Sequence, residues 1–596
     1  MPDNDVTTLS RLFLHSCRTF KKPGRMLVKK GGVWTKISTD DVETSVRRLS
    51  LGFQALGLKP GDRIALLSEN RPEWVMADFA ALCAGAVTVP VYTSLPPDQV
   101  RYILDDAGVK IVVCSDLEMW RKVEAVRNAL QALERVILVE GDPPAGALAL
   151  SDVAEMGQRL EEAEPGRFDR TAEAVRPGDL ASIIYTSGTT GLPKGVMLSH
   201  ANFVSNVVSL AEFIDFGESD TGLSFLPLSH VLERTSTFFL FHVGAAMAYA
   251  ESIEAVASNM VEVRPTIIVS VPRLFEKIYA RVMDQVLAGS RLKRAIFVWA
   301  LATGKKYAAK TIAGEAVPVH LSLKRGIAAK LVFSKIIART GGRIRYAICG
   351  GAPLSKDIAE FFYALGLRIM PGYGLTETSP VLTGSTPRYV RFGTAGVAIP
   401  RVELRIAEDG EILARGPNVM MGYYKNEADT REVLRDGWLH TGDIGQFDED
   451  GFLLITDRKK DIIVTSGGKN VAPQPIESLI QASPLIASAV VVGNSRKFVS
   501  ALIVPDFDKL EAYAKAHGIV HKDRADLCRR PEIAAFLLDE VNRMTPGLAS
   551  YERVKRIVVL DREFDLDMGE VTPTLKVRRN IVERKYADII ESLYQD

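Results

Sequence analysis

At 596 residues the chain is too long for one ordinary hydrophobic core, so two or more domains are expected. Its 74 Lys and Arg nearly balance 73 Asp and Glu, which argues against a general nucleic-acid binder. Five scattered cysteines, with no CxxC pair, suggest neither a zinc site nor a disulfide framework, and Cys83, Cys114 and Cys349 sit in apolar runs expected to be core.

The first 180 residues alternate strand and helix patterns. Arg63–Leu67 reads as a strand after the Pro60-Gly61-Asp62 turn, and Pro72–Ala84 has helical spacing. Val87–Tyr92 reads as a strand, Pro97–Ala107 as a helix and Lys110–Cys114 as a strand. This rhythm predicts a largely parallel sheet covered by helices. Gln158–Pro177 is polar and reads as a surface connection. The N-terminal Met1–Leu9 stretch is polar and acidic, not a leader. The longest apolar run, Phe238–Ala250, is too short to span a bilayer and contains His242. A cytoplasmic protein is expected.

An apolar run, Leu180–Ile184, then leads into Tyr185-Thr-Ser-Gly-Thr-Thr-Gly-Leu-Pro-Lys-Gly-Val-Met-Leu-Ser-His200, with a helix able to start at Ala201. The pattern predicts a strand feeding a loop of Gly, Ser and Thr with one lysine. Such a loop suits a polyphosphate: glycines let backbone N–H groups approach closely, hydroxyls donate, and Lys194 adds a compact positive charge. It is not a Walker A loop, because Gly195 follows Lys194 where that pattern needs Ser or Thr. The string resembles the phosphate-binding sequence of the adenylate-forming superfamily, which includes acyl-CoA synthetases, peptide-synthetase adenylation domains and luciferases. The resemblance implies ATP binding by Thr186, Ser187, Gly188, Thr189, Thr190, Gly191 and Lys194, with Thr186 also in the catalytic set.

Further along, Leu223-Ser-Phe-Leu-Pro-Leu-Ser-His-Val-Leu-Glu-Arg234 reads as a strand end with a polar tip, and resembles the superfamily's substrate-side segment. The resemblance puts His230 in the catalytic set. Amino-acid-activating relatives carry an Asp near here for the substrate's amino group; this chain has His230, Val231 and Leu232 instead. A buried ammonium without a partner costs several kcal/mol, so amino-acid substrates are disfavoured. Val269-Ser-Val-Pro-Arg-Leu-Phe-Glu276 resembles the long-chain fatty-acid branch.

Residues 281–345 read as helices broken near Gly304, Gly314, Pro318 and Gly341. From 285 to 345 Glu315 is the only acidic residue, while Lys324, Lys335, Arg339 and many other basic residues interleave with Phe297, Trp299 and Leu331. Basic amphipathic helices suit an anionic membrane surface, so peripheral contact at the inner face of a membrane is one expectation. A solvated face on a helical insertion is the other.

Arg345–Leu354 reads as a strand and a Gly-rich turn resembling the adenine-binding turn, which implicates Gly350, Gly351, Ala352 and Pro353. Met370-Pro-Gly-Tyr-Gly-Leu-Thr-Glu-Thr-Ser379 resembles a second superfamily motif. It implies Tyr373 against adenine, Gly374 in the ATP-binding set, Thr376 near phosphate and acyl carboxylate, and Glu377 on Mg²⁺. One carboxylate plus substrate phosphates is a common way to hold that ion. A β-rich stretch, roughly Gly393–Leu434, precedes Asp436-Gly-Trp-Leu-His-Thr-Gly-Asp443. There the resemblance makes Asp443 the acceptor for ribose hydroxyls. It makes Arg458 the second ribose or phosphate residue and Lys460 the hinge, and places Gly467 and Gly468 on the loop lining the CoA tunnel. Near the end, Glu570-Val-Thr-Pro-Thr-Leu-Lys-Val-Arg-Arg579 places Lys576 at the adenylation lysine. Leu575 stands where the superfamily usually has Gly, as in the long-chain branch.

The resemblance covers about Gly61 to Arg579. It implies an α/β fold: a large N-terminal domain of parallel-sheet subdomains plus a β-rich subdomain, hinged to a small α+β C-terminal domain. The expected boundaries are 1–456, a hinge at 457–461, and 462–596. The implied reaction joins a long-chain fatty acid to CoA with ATP and Mg²⁺ through an acyl-adenylate. Alternatives are delivery of the adenylate to a carrier-protein thiol, a medium-chain or aryl substrate, and a catalytically inactive scaffold.

Overall fold

A computed structural model describes residues 6–186, 192–387, 389–565, 568–572 and 576–595. The chain forms two compact units: one of residues 1–275, 282–405 and 413–440, the other of 276–281, 406–412 and 441–596.

The larger unit is built on two sheets. In the first, the order is Gly422–Tyr423, Lys194–Ser199, Leu180–Thr186, Val87–Val91, Arg63–Leu67, Val109–Cys114, Arg135–Leu138 and Ala147–Ala149. From Leu180–Thr186 onward every neighbour is parallel, as the strand–helix alternation predicts. Val87–Val91 is buried at every position, which is why it reads as a continuous apolar run without alternation. In the second sheet, six neighbouring strands from Ile369–Gly374 to Met26–Lys30 are parallel, flanked by antiparallel strands.

The two sheets are joined by buried polar contacts. Arg234, on the Val231–His242 helix, forms a two-point ion pair with Asp78 on Pro72–Cys83, at 2.7 and 2.8 Å. It also donates to Ser182 and Thr88 of the first sheet. Phe79, Phe203 and Phe238 pack around this point.

Most of the Gln158–Pro177 surface connection is helical, in the end of Leu150–Ala163 and in Arg167–Ala174. They bury few apolar side chains, so their composition reads as polar; Gly157 packs where a Cβ would lie 1.8 Å from Arg48 O. The motif through Ser199 is not loop up to the helix, because Lys194–Ser199 is a strand returning antiparallel along Leu180–Thr186. Gly304 does not break a helix; it lies within Arg291–Ile312, and a Cβ there would meet Ala364 O at 2.6 Å. Close packing explains that glycine.

The smaller unit contains a three-stranded sheet in the order Ile486–Val492, Ser500–Pro505, Ile557–Val559, covered by helices that include Pro473–Gln481 and Pro531–Met544. All five cysteines are buried.

Candidate active site

In the larger unit the phosphate-motif hairpin and the 369–378 segment converge on one side chain that sequence reasoning did not single out. Thr186 pairs with Lys194 across the hairpin. Ser187, Gly188, Thr189, Thr190 and Gly191 lie outside the described residues. Lys194 Nζ contacts Asp429 Oδ2 at 2.5 Å and lies 5.1 Å from the Tyr423 ring centre. The Tyr423 hydroxyl donates to Glu377 Oε1 at 2.9 Å. Tyr423 reaches this place because Gly422–Tyr423 adds to the edge of Lys194–Ser199, opposite Val196 and Met197. Burial first, then the neighbouring Glu377 carboxylate, raise the Tyr423 pKa far above the tyrosine range, so the phenol stays a donor.

Glu377 sits in a short turn, Thr376–Thr378, held from several sides. Its carbonyl accepts from Met420 N, Asn418 Nδ2 donates to Thr378 O, and Thr235 Oγ1 donates to Ser379 O. The last bond ties this turn to the helix that His230 caps. His230 Nδ1 accepts from Leu232 N at 3.2 Å, fixing the ring at the helix start. Tyr373 and Gly374 lie on Ile369–Gly374 against Val381–Gly384. A Cβ on Gly374 would be 1.7 Å from Pro380 O, so only glycine fits. Gly350 and Gly351 follow the neighbouring strand Tyr346–Cys349, with Gly351 at φ +82 and Ala352 and Pro353 exposed. The unit therefore gathers Thr186, Lys194, Glu377 and Tyr423 directly, with His230 and the Gly350 turn on adjoining elements.

The smaller unit assembles a second group. Asp443 is buried opposite Arg458, whose Nε lies 3.2 Å from Asp443 Oδ1. Lys576 lies within electrostatic reach of both. Desolvation first, and Arg458 second, push the Lys576 ammonium down to about 8, while Asp443 opposes this. The residue keeps a solvent-exposed surface, so the push is weaker than in a sealed pocket. The loop carrying Lys576 is anchored by Glu570, which is fully buried and bound by Arg562 and Lys585. Burial raises the Glu570 carboxyl, but the bonds from Arg562 and Lys585 outweigh it and hold it down at about 2.

Lys460 is exposed in the turn after Leu453–Arg458. Its neighbour Lys459 is tethered to Asp409 and Glu411 at 2.6 and 3.0 Å. Gly467 and Gly468 occupy the turn between Ile463–Val464 and Asn470–Val471.

Among the described residues no cluster of three or more His, Cys, Asp or Glu side chains could hold a metal ion by itself. A lone Glu377 carboxylate still fits Mg²⁺, which commonly takes its remaining oxygens from water and substrate phosphates.

Two family models match the chain: "AMP-binding enzyme" over residues 18–424 and "AMP-binding enzyme C-terminal domain" over 460–596. A long-chain-fatty-acid–CoA ligase of Mycobacterium tuberculosis is 37% identical over 566 residues, covering 94% of this chain and 93% of that protein. The peroxisomal long chain acyl-CoA synthetase 6 of Arabidopsis thaliana is 31% identical, covering 100% of this chain and 87% of its own length. The adenylation domain of a carboxylate reductase from Mycobacterium chelonae superimposes with a TM-score of 0.76 at 22% identity, covering 100% of this chain and 94% of that domain, a likeness of fold alone. With both models matched in order and relatives aligned nearly end to end, the chain belongs to the AMP-binding enzyme family.

Proposed function

We propose that the chain is a long-chain fatty-acid:CoA ligase that works through an acyl-adenylate. The observation that carries the adenylation step is Tyr423 joining Lys194 and Glu377, which places a cation and a carboxylate on one phenol. The names of the relatives support the long-chain acid and CoA as substrates.

In the first step a carboxylate oxygen of the acid attacks the α-phosphorus of ATP, and the bond to the bridging oxygen breaks to release pyrophosphate. The work is positioning and charge neutralisation. Lys194 gives up Asp429 for the polyphosphate. Mg²⁺ held by Glu377 would supply further neutralisation of phosphate charge. Lys576 adds positive charge, and Asp443 accepts from the ribose diol with Arg458 beside it. In the second step the thiol sulfur of CoA attacks the acyl carbonyl, AMP leaves, and the thiol proton goes to solvent. No enzyme nucleophile is required.

One site serves both steps if the small domain, 462–596, turns about 457–461 relative to 1–456. Lys460 absorbs the backbone change next to the tethered Lys459, presenting Lys576 first and the Gly467-Gly468 turn second.

Pyrophosphate release across fatty acids of rising chain length, with and without CoA, tests the assignment. Release that grows with chain length, with CoA-dependent acyl-CoA and AMP, is expected. Adenylate that accumulates and ignores CoA would move the acceptor to a carrier-protein thiol. A preference for short or aromatic acids would overturn the long-chain assignment.

We also propose peripheral contact with an anionic bilayer. No helix among the described residues is long and apolar enough to cross a membrane. Val319, Leu323, Ile327 and Leu331 recur every four residues and are 50% to 76% exposed. Lys324, Lys330 and Lys335 flank that stripe. Apolar insertion with cationic flanks is the interfacial pattern. Replacing Lys324, Lys335 and Arg339 by Gln should weaken sedimentation with phosphatidylglycerol vesicles; unchanged sedimentation would leave a solvated face.

A further inference from the structure

An open groove of about 410 Å³ lies between the end of the Pro272–Leu287 helix and the Arg291–Ile312 helix. None of its lining residues belongs to the nucleotide group described above. Met283 and Leu287 form one wall, Phe297 and Leu301 the other, and Arg294 and Lys305 carry its charge. Phe297 is buried, while Leu287 is 56% exposed, so an apolar floor opens to solvent. Arg294 and Lys305 stand about 17 Å apart along the helix axis at 1.5 Å per residue.

The two cations are not equivalent. Lys305 Nζ is paired with Glu360 at 3.1 Å. Arg294 Nε donates to Gly289 O at 3.0 Å, and its terminal nitrogens have no partner among the described residues. An uncommitted guanidinium at one end of a long apolar groove suits a planar carboxylate, which it can bind at two points. The volume falls in the range of small-molecule sites, and each methylene moved from water contributes about 0.8 kcal/mol. A groove of about 410 Å³ offers room on the order of one hydrocarbon chain, which favours a single-chain acid over a two-chain lipid.

We infer that this groove is a second fatty-acid site: a surface holding site for one single-chain carboxylate, its tail against Phe297 and Leu301 and its head group on Arg294. The inference rests on the reading that the chain consumes fatty acids, and adds a site that the reaction itself does not need. The groove opens to solvent, which gives it a role: an insoluble acid is kept on the protein instead of being lost to water.

Equilibrium dialysis of the full chain against radiolabelled hexadecanoate, below the concentration at which the acid forms micelles, tests this. The wild type should bind two equivalents. Leu301→Trp, which fills the groove, and Arg294→Gln, which removes the charge, should each weaken one equivalent on the order of tenfold. Both should leave pyrophosphate release with a short water-soluble acid unchanged. Arg294 is exposed, so that variant keeps the test open if the tryptophan prevents folding. One equivalent in the wild type, with normal pyrophosphate release, overturns the groove site alone. Two equivalents reduced to one by either variant, without any pyrophosphate release, uphold the groove and overturn the ligase reading. Variants that lose phosphatidylglycerol vesicles but keep both equivalents assign the groove to a lipid headgroup and overturn the free-acid assignment.

Discussion

The hydroxyl of Tyr423 donates to Glu377 Oε1 at 2.9 Å while the face of its ring lies 5.1 Å from Lys194 Nζ. One aromatic side chain thus fixes the carboxylate proposed to hold Mg²⁺ and the cation proposed to meet the phosphates. A hydrogen bond to a charged group contributes about 1.5–3 kcal/mol. Tyr423→Phe should therefore raise the Mg²⁺ concentration for half-maximal pyrophosphate release by about tenfold or more, with the fold intact. A magnesium titration that superimposes on the wild type would show that Glu377 needs no such support.

Lys576 and the Lys194 group are expected to act in the adenylation step only. Lys576→Ala should lower adenylate formation by at least about a hundredfold, in the range of losing one positioned charge. The same variant should convert added acyl-adenylate and CoA to acyl-CoA at nearly the wild-type rate. Equal loss of both half-reactions would sink the assignment. Glu570→Gln, which loosens the anchor of the Lys576 loop, should give a milder version of the same asymmetry.

Much of this was legible because its signals are local. The strands from Arg63 to Cys114 are short apolar runs bounded by turns, and the strand–helix rhythm predicts their parallel order. Lys194, Glu377, Asp443 and Lys576 stand out as candidates because each sits inside a distinctive string. Tyr423 and Asp429 do not, because their role depends on an edge strand pairing with residues more than two hundred positions earlier. Lys194–Ser199 is hidden as a strand for a different reason: it returns locally along Leu180–Thr186, and the Gly, Ser and Thr run before it reads as loop. Gly304 misleads for a non-local reason: a glycine demanded by a neighbouring helix looks, in one dimension, like a glycine that ends its own.

Acid stability offers a separate handle on the larger unit. His200 is buried, and desolvation pushes its imidazole down to about 4, with Nδ1 accepting from Leu9 N at 3.2 Å. The folded state holds it neutral, whereas the unfolded chain takes up a proton below its ordinary value near 6.5. Protonation therefore favours unfolding, so stability is full above 6.5 and falls as pH drops toward 4, by about 3 kcal/mol in total. Urea unfolding midpoints from pH 7 to 5 should fall more steeply for the wild type than for His200→Asn. Parallel curves would remove His200 as a source of acid sensitivity.

Fixing the backbone at Lys460 should stop turnover without abolishing chemistry. Lys460→Pro restricts φ at the proposed pivot, next to the tethered Lys459. One half-reaction should survive near the wild-type rate while overall acyl-CoA formation falls at least about tenfold. Undiminished overall turnover would place the pivot elsewhere.

The Arg234–Asp78 pair has a consequence for how this sequence can vary. Both side chains are sealed from water, and together they bridge a helix of one sheet layer to strands of the other. Removing either partner leaves a bare buried charge, at a cost of about 3–5 kcal/mol, while an apolar pair of similar volume can be nearly neutral. The two positions are therefore separated from an apolar alternative by a valley of unstable intermediates. Change at Asp78 should be found only together with change at Arg234, although the two stand 156 positions apart in the chain.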